Sequence, residues 1–244
     1  MKANKPFYIN LWPDDVHGPF WPPVDKWADG KRGLYHSVLQ EMDRQFGKLF
    51  DLIRGDEALR KNTLVLICSD NGPEKGAGSA GPFRGFKTHL YEGGVRSSLI
   101  AWAPGRYPAG VEIGGLCQHM DVGPAMLELA GLEPAPSLEA ISLTEALEGR
   151  DWTPRSHVYA EHGKDAILQE TEFVTMVRDD RWKLVHFLDE PWGQLFDLET
   201  DPTEVVNRWD DPEAAGAKQA LLDELREWRI RSGWHTSCWP AEWR

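Results

Sequence analysis

The greasy run Thr63-Leu64-Val65-Leu66-Ile67 ends in Cys68-Ser69-Asp70-Asn71-Gly72-Pro73, placing a carboxylate beside an amide carbonyl. Open α/β sheets seat ligands at the carboxyl ends of such strands. An aspartate oxygen and an asparagine oxygen suit a hard cation, calcium or magnesium. Calcium takes roughly six to eight oxygens, so these donors are only part of a site. Read alone, Asp70-Asn71-Gly72-Pro73 is more simply a turn, since every residue in it is a turn former. Lys87 follows in Pro82-Phe83-Arg84-Gly85-Phe86-Lys87. Its ammonium is a compact charge for an anionic oxygen, and Arg84 could add a forked donor. A single loop lysine is otherwise a solvated surface charge. His17, in Asp14-Asp15-Val16-His17-Gly18-Pro19-Phe20, could protonate a departing oxygen near neutral pH or simply make a loop contact. His36, His89, His119, His157, His162, His186 and His235 have no better claim by spacing, and no pair forms a helical zinc signature.

The elements that must position these residues alternate at first. A strand is expected over 7–12 and a helix over 34–54, whose apolar residues Leu34, Val38, Leu39, Met42, Phe46, Leu49, Phe50 and Ile53 share one face. Gly47 inside that helix implies close packing. The run 63–68 reads as a strand covered on both faces, and 98–103 as another, stopped by Pro104-Gly105. Asp121 is placed to cap a helix that ends at Gly131. This order implies a largely parallel sheet. A connector with one short helix spans 134–154. After it, 173–178 and 181–187 flank Asp179-Asp180 as a hairpin, and 194–198 gives a third strand. Asp211-Pro212-Glu213 opens a helix carrying Leu221, Leu222, Leu225 and Trp228, with a stop at Gly233. The domains are therefore 1–150, an α/β part, and 151–244, a small antiparallel sheet packed with one helix.

The chain has 244 residues, enough for one large domain or two modest ones. A formal charge of −12 argues against nucleic acid, and no apolar run is long enough for a membrane span. Cys68, Cys117 and Cys238 are widely spaced, without metal-ligand spacing or a disulfide framework. The first residues run into the expected strand with no signal-peptide pattern, as in a chain lacking its front half. Twelve tryptophans, with Trp12, Trp21 and Trp27 near His17, raise sugar stacking beside ordinary packing.

Together these blocks resemble the type I sulfatase (arylsulfatase-like) family of the alkaline-phosphatase-like superfamily, in its carboxyl-terminal part. The blocks are Pro6–Leu11 with His17-Gly18-Pro19, Thr63–Gly72, Gly81–Lys87 with Tyr91-Glu92-Gly93-Gly94-Val95-Arg96, and Asp121–Gly131. Arg181–Val185 and Leu195-Phe196-Asp197-Leu198 with Asp201-Pro202 complete the series. The resemblance implies a partial alkaline-phosphatase-like fold, with a mixed, mostly parallel sheet and helices. It implies calcium held by Asp70 and Asn71, and a sulfate oxygen on Lys87. It places His17 on the sulfate or leaving alcohol. The substrate would be a small-molecule or carbohydrate sulfate ester, and complete members are expected in the periplasm or outside the cell. The family's nucleophile is a formylglycine made within Cys/Ser-x-Pro-x-Arg, which this sequence lacks: Cys238-Trp239-Pro240-Ala241-Glu242 carries glutamate in place of arginine. The paired aspartates and Lys-x-His element of the family are absent too. The chain is thus expected to be inactive alone and to need a missing amino-terminal half. Alternatives are a phosphodiesterase or phosphonate hydrolase of the same superfamily, or an inactive truncated binding module.

Overall fold

The computed structural model describes residues 6–165, 168–169 and 171–236. The expected first strand does not form. Phe7, Tyr8, Ile9, Leu11 and Trp12 are exposed, and no strand among the described residues pairs with them. Apolar content alone cannot hold an extended segment whose backbone groups lack partners.

Helix α1 (Gly30–Gly55) starts one turn earlier than the periodicity predicts. Its amino-terminal half packs through Leu34, Tyr35 and Val38 on Phe20 and Ala77. Phe20 follows His17 closely and Ala77 follows Asp70, so this one cluster anchors two candidate segments to the same helix. Further along, Phe50 meets Trp102 edge-to-face at 4.9 Å. Gly47 has open space around its Cβ position, so the packing expected there is absent.

A short helix α2 (Glu57–Asn62), capped by Asp56 through Leu59 N–H at 3.0 Å, leads into β1 (Val65–Cys68). The one-turn helix α3 (Glu92–Val95) precedes β2 (Leu99–Trp102). The two strands pair antiparallel, with Val65 opposite Trp102 and Ile67 opposite Ile100. Both sheets among the described residues are antiparallel, in place of the largely parallel sheet expected from the element order. Residues 69–98 are long enough for a parallel crossover but hold only the single turn α3, not the helix that usually makes one. Nor is β1 covered throughout: Leu64 and Leu66 pack toward α4 (Val122–Leu129) and α5 (Thr144–Leu147), while Ile67 and Cys68 are exposed.

Asp121 sits where a cap was expected but does not cap α4 with its side chain. It is fully buried and takes both Nε and Nη2 of Arg155. It also accepts the N–H groups of Gln118 at 2.7 Å and Ile141 at 2.9 Å. Gly131, at φ +75, ends the helix as expected.

The remainder is an antiparallel meander of β3 (Val158–Gly163), β4 (Phe173–Arg178), β5 (Trp182–Phe187) and β6 (Gly193–Asp197), in that spatial order. β3 was not expected. A 3-10 turn opened by Asp211 leads into α6 (Ala215–Thr236), which continues past Gly233. A glycine costs a helix about 1 kcal/mol relative to alanine, too little to stop one by itself. The sheet is covered on both sides. Val177, Leu184 and Leu195 face Leu221 and Leu225 of α6. Val174, Met176 and Val185 face Leu90 and Val95, from the segment around α3. Each such side chain contributes up to about 1.5–3 kcal/mol on burial.

Candidate functional site

Three segments carry the candidate residues, and main-chain contacts bring them together. Gly72 N–H donates to the Gly94 carbonyl at 2.8 Å, and Lys87 N–H donates to the Pro73 carbonyl at 2.9 Å. A Cβ on Gly72 would stand 1.9 Å from the Gly93 carbonyl oxygen, so this approach requires glycine. The loop after β1 and the loop bearing Lys87 are therefore one packed unit. The third segment joins through Glu74, whose carboxylate accepts Gly18 N–H at 3.1 Å and pairs with Lys31 of α1 at 2.6 Å. Lys31 holds the Glu74 carboxyl below its ordinary range, although burial works against it and Gly18 and His17 assist.

The side chains differ in how far they are committed. Among the described residues Asp70 and Asn71 have no side-chain hydrogen bond or ion pair, and neither does Lys87, whose residue as a whole is half-buried. A lysine without a counter-charge leaves its ammonium available to an anionic oxygen. His17 is exposed, with Nδ1 2.9 Å from its neighbour's carbonyl at Gly18. Arg84 turns the other way. Its Nη1 donates to the Glu204 carbonyl at 2.7 Å, and its guanidinium lies 4.0 Å over the Tyr91 ring. That commits it to joining the two parts of the chain.

As to a cation, the donor chemistry of Asp70 and Asn71 fits a hard ion, but the number does not complete a shell. No group of three or more His, Cys, Asp or Glu able to hold a metal occurs among the described residues. At the end of β1, Cys68 Sγ lies 3.1 Å from His119 Nε2. Burial pushes this thiol up, and the charge of Asp70 adds to that.

Sequence reasoning gave no role to Glu92, Lys183 or Glu204. Lys183 is fully buried, with Nζ 3.1 Å from Glu92 Oε1 and 2.9 Å from Glu204 Oε1. The second contact is an ion pair, and Glu204 Oε1 has no hydrogen-bond partner besides it. Burial accordingly raises the Glu204 carboxyl, Lys183 offsetting only part of it. Burial also acts on Glu92, yet Lys183 and Arg178 outweigh it and hold that carboxyl low. The readable signal was a lysine at an inward position of a buried hairpin, which demands counter-charges.

His162 of β3 bridges to the same unit. Its Nδ1 faces the Thr88 carbonyl at 3.0 Å and its Nε2 faces Asp165 Oδ2 at 3.1 Å. Both partners are acceptors, and only the imidazolium donates from both nitrogens. Asp165 first, then Thr88 against partial burial, raise the imidazole above its usual 6.5. Stability from this contact is complete below the unfolded value and is lost as pH rises through the higher folded value. Urea unfolding at pH 6 and pH 8.5 should show a fall of about 1 kcal/mol or less, abolished by His162→Gln.

Two family models match this chain. That described as Sulfatase covers residues 1–132, more than half of the molecule. The chain belongs to the sulfatase family. The second, N-sulphoglucosamine sulphohydrolase, C-terminal, covers residues 81–231 of this sulfatase chain. N-acetylgalactosamine-6-sulfatase of Canis lupus familiaris is 35% identical over 165 residues, 64% of this chain and 31% of the relative. Choline-sulfatase of Rhizobium meliloti is 32% identical, over 81% of this chain and 36% of that protein. The sulfatase chain thus spans about a third of the length of these curated relatives. A structure described as BT4656 in complex with its substrate D-glucosamine-2-N,6-O-disulfate superposes with TM-score 0.69 at 23% identity, covering 87% of this chain and 42% of its own. At that identity the likeness shows the fold, and it is the expected partial alkaline-phosphatase-like α/β fold with a small antiparallel sheet and helix.

Proposed function

We propose that this sulfatase chain supplies the cation-binding and sulfate-binding side of a sulfuric ester hydrolase. The observation that carries the reading is Lys87 without a counter-charge, on a loop hydrogen-bonded to the one bearing unpaired Asp70 and Asn71. In this reading Lys87 binds a sulfate oxygen and His17 donates a proton to the departing alcohol oxygen. Asp70 and Asn71 give oxygen donors to calcium, with magnesium the weaker candidate. When bound, the ion offsets negative charge on the sulfuryl oxygens. Arg84, engaged with Glu204, reaches substrate only by leaving that contact. The nucleophile, a formylglycine, comes from polypeptide outside these residues. Residues 1–150 form the catalytic α/β part and 151–244 the small α+β subdomain. An organic sulfate ester, small-molecule or carbohydrate, is the substrate class, in keeping with the names of the relatives above.

Calorimetric titration of the chain with calcium tests this. A partial donor set should give a Kd on the order of millimolar. Asp70→Asn should weaken it at least about tenfold, since the charged donor is lost. Equal affinity in the variant would remove Asp70 from the site and the proposal with it.

A further inference from the structure

We infer that Lys183 is a positioning residue for the candidate site, clamping the loop that carries Lys87 and supports Gly72 onto the carboxyl-terminal sheet. The inference rests on the site reading above. In the β4–β5 register Arg178 stands opposite Lys183, and in the β5–β6 register Lys183 stands opposite Phe196. These make a cross-strand row on the face that meets the segment around α3. Each member of the row touches that segment. Phe196 lies edge-on to Tyr91 at 6.0 Å, Arg178 Nη1 reaches Glu92 Oε2 at 2.5 Å, and Lys183 reaches Glu92 Oε1 at 3.1 Å.

Glu204 closes the clamp from behind. Its Oε2 accepts Glu92 N–H at 2.6 Å, and its main-chain carbonyl accepts Arg84 Nη1 at 2.7 Å. Gly93 N–H in turn donates to the Arg84 carbonyl at 2.7 Å, and Gly94 accepts from Gly72. A continuous set of contacts therefore runs from Lys183 through Glu92 and its neighbouring glycines to the loop after Asp70. Burying so many charges gains little stability over apolar packing, whereas it admits few arrangements. Lys183 acts through these groups, with no contact of its own to Asp70, Asn71 or Lys87 among the described residues.

The test is amide hydrogen exchange with calcium titration on the full chain, comparing Lys183→Met, Glu204→Gln and Leu225→Ala. Leu225 packs on the opposite side of the sheet and reports destabilisation alone. Lys183→Met should speed exchange at Gly72, Lys87 and Gly93 at least tenfold beyond the β4–β5 amides, and weaken calcium binding about tenfold. Glu204→Gln should act in the same direction, and it decides alone if Lys183→Met does not fold. Leu225→Ala should speed all these amides in parallel. Amides at Gly72, Lys87 and Gly93 that keep pace with the sheet in both charge variants would overturn the inference. Selective exposure in a chain whose wild type binds no calcium would instead sink the cation site and leave the clamp standing.

Discussion

Purified alone, the chain is expected to leave a chromogenic aryl sulfate unhydrolysed, with or without added calcium. Lys87, His17, Asp70 and Asn71 can bind and polarise, but none attacks sulfur in the proposed chemistry. The only cysteine followed by x-Pro, Cys238, has Glu242 in place of the arginine and lies outside the described residues. Cys68 is no substitute: its thiol is pushed up, away from the thiolate that attacks. Loss of a covalent nucleophile costs on the order of a millionfold in rate where it has been measured. Turnover should therefore stay at the level of buffer in a stopped assay run for hours. Calcium-dependent release of the phenol, lost in Lys87→Ala, would show that the chain carries a nucleophile of its own.

Arg155→Met should destabilise the chain by about 3–5 kcal/mol, the cost of leaving a buried charge without its partner. Arg155 reaches both oxygens of the fully buried Asp121 and gives Nη2 to the Glu139 carbonyl at 2.9 Å. Its own N–H donates to Leu116 at 2.9 Å, so the same residue ties the connector to the segment before α4. The urea midpoint should drop while the m-value stays constant. In Asp121→Leu with Arg155→Met the change should be smaller than in Arg155→Met alone, because no unpaired charge is left behind. A change in unfolding free energy within about 0.5 kcal/mol for the single variant would place the pair in water and contradict its burial.

What the sequence disclosed and what it withheld divide along physical lines. Helix α1, the β4–β5 hairpin and the capped start of the last helix were legible because each is specified locally, by periodicity or by turn residues such as Asp179 and Asp211. The blocks around Asp70 and Lys87 were legible because each is short and continuous. The segment 7–12 was misread because its apolar residues cannot announce whether a neighbouring strand exists. Residues 158–163 escaped notice because Glu161 and His162 break any clean alternation, so the strand shows itself only through its pairing with β4. The roles of Arg84, Asp121 and Lys183 were hidden for one shared reason. What a charge does depends on its partner, and these partners stand 120, 34 and 91 positions away.

The contact of Gly72 with Gly93 and Gly94 has a wider consequence. It is made by peptide atoms that every protein shares, and it asks of the sequence only that a few positions carry nothing. Divergence can therefore exchange almost all surrounding side chains without altering the spacing between the two loops. A spacing held in this way should persist while the side chains around it change.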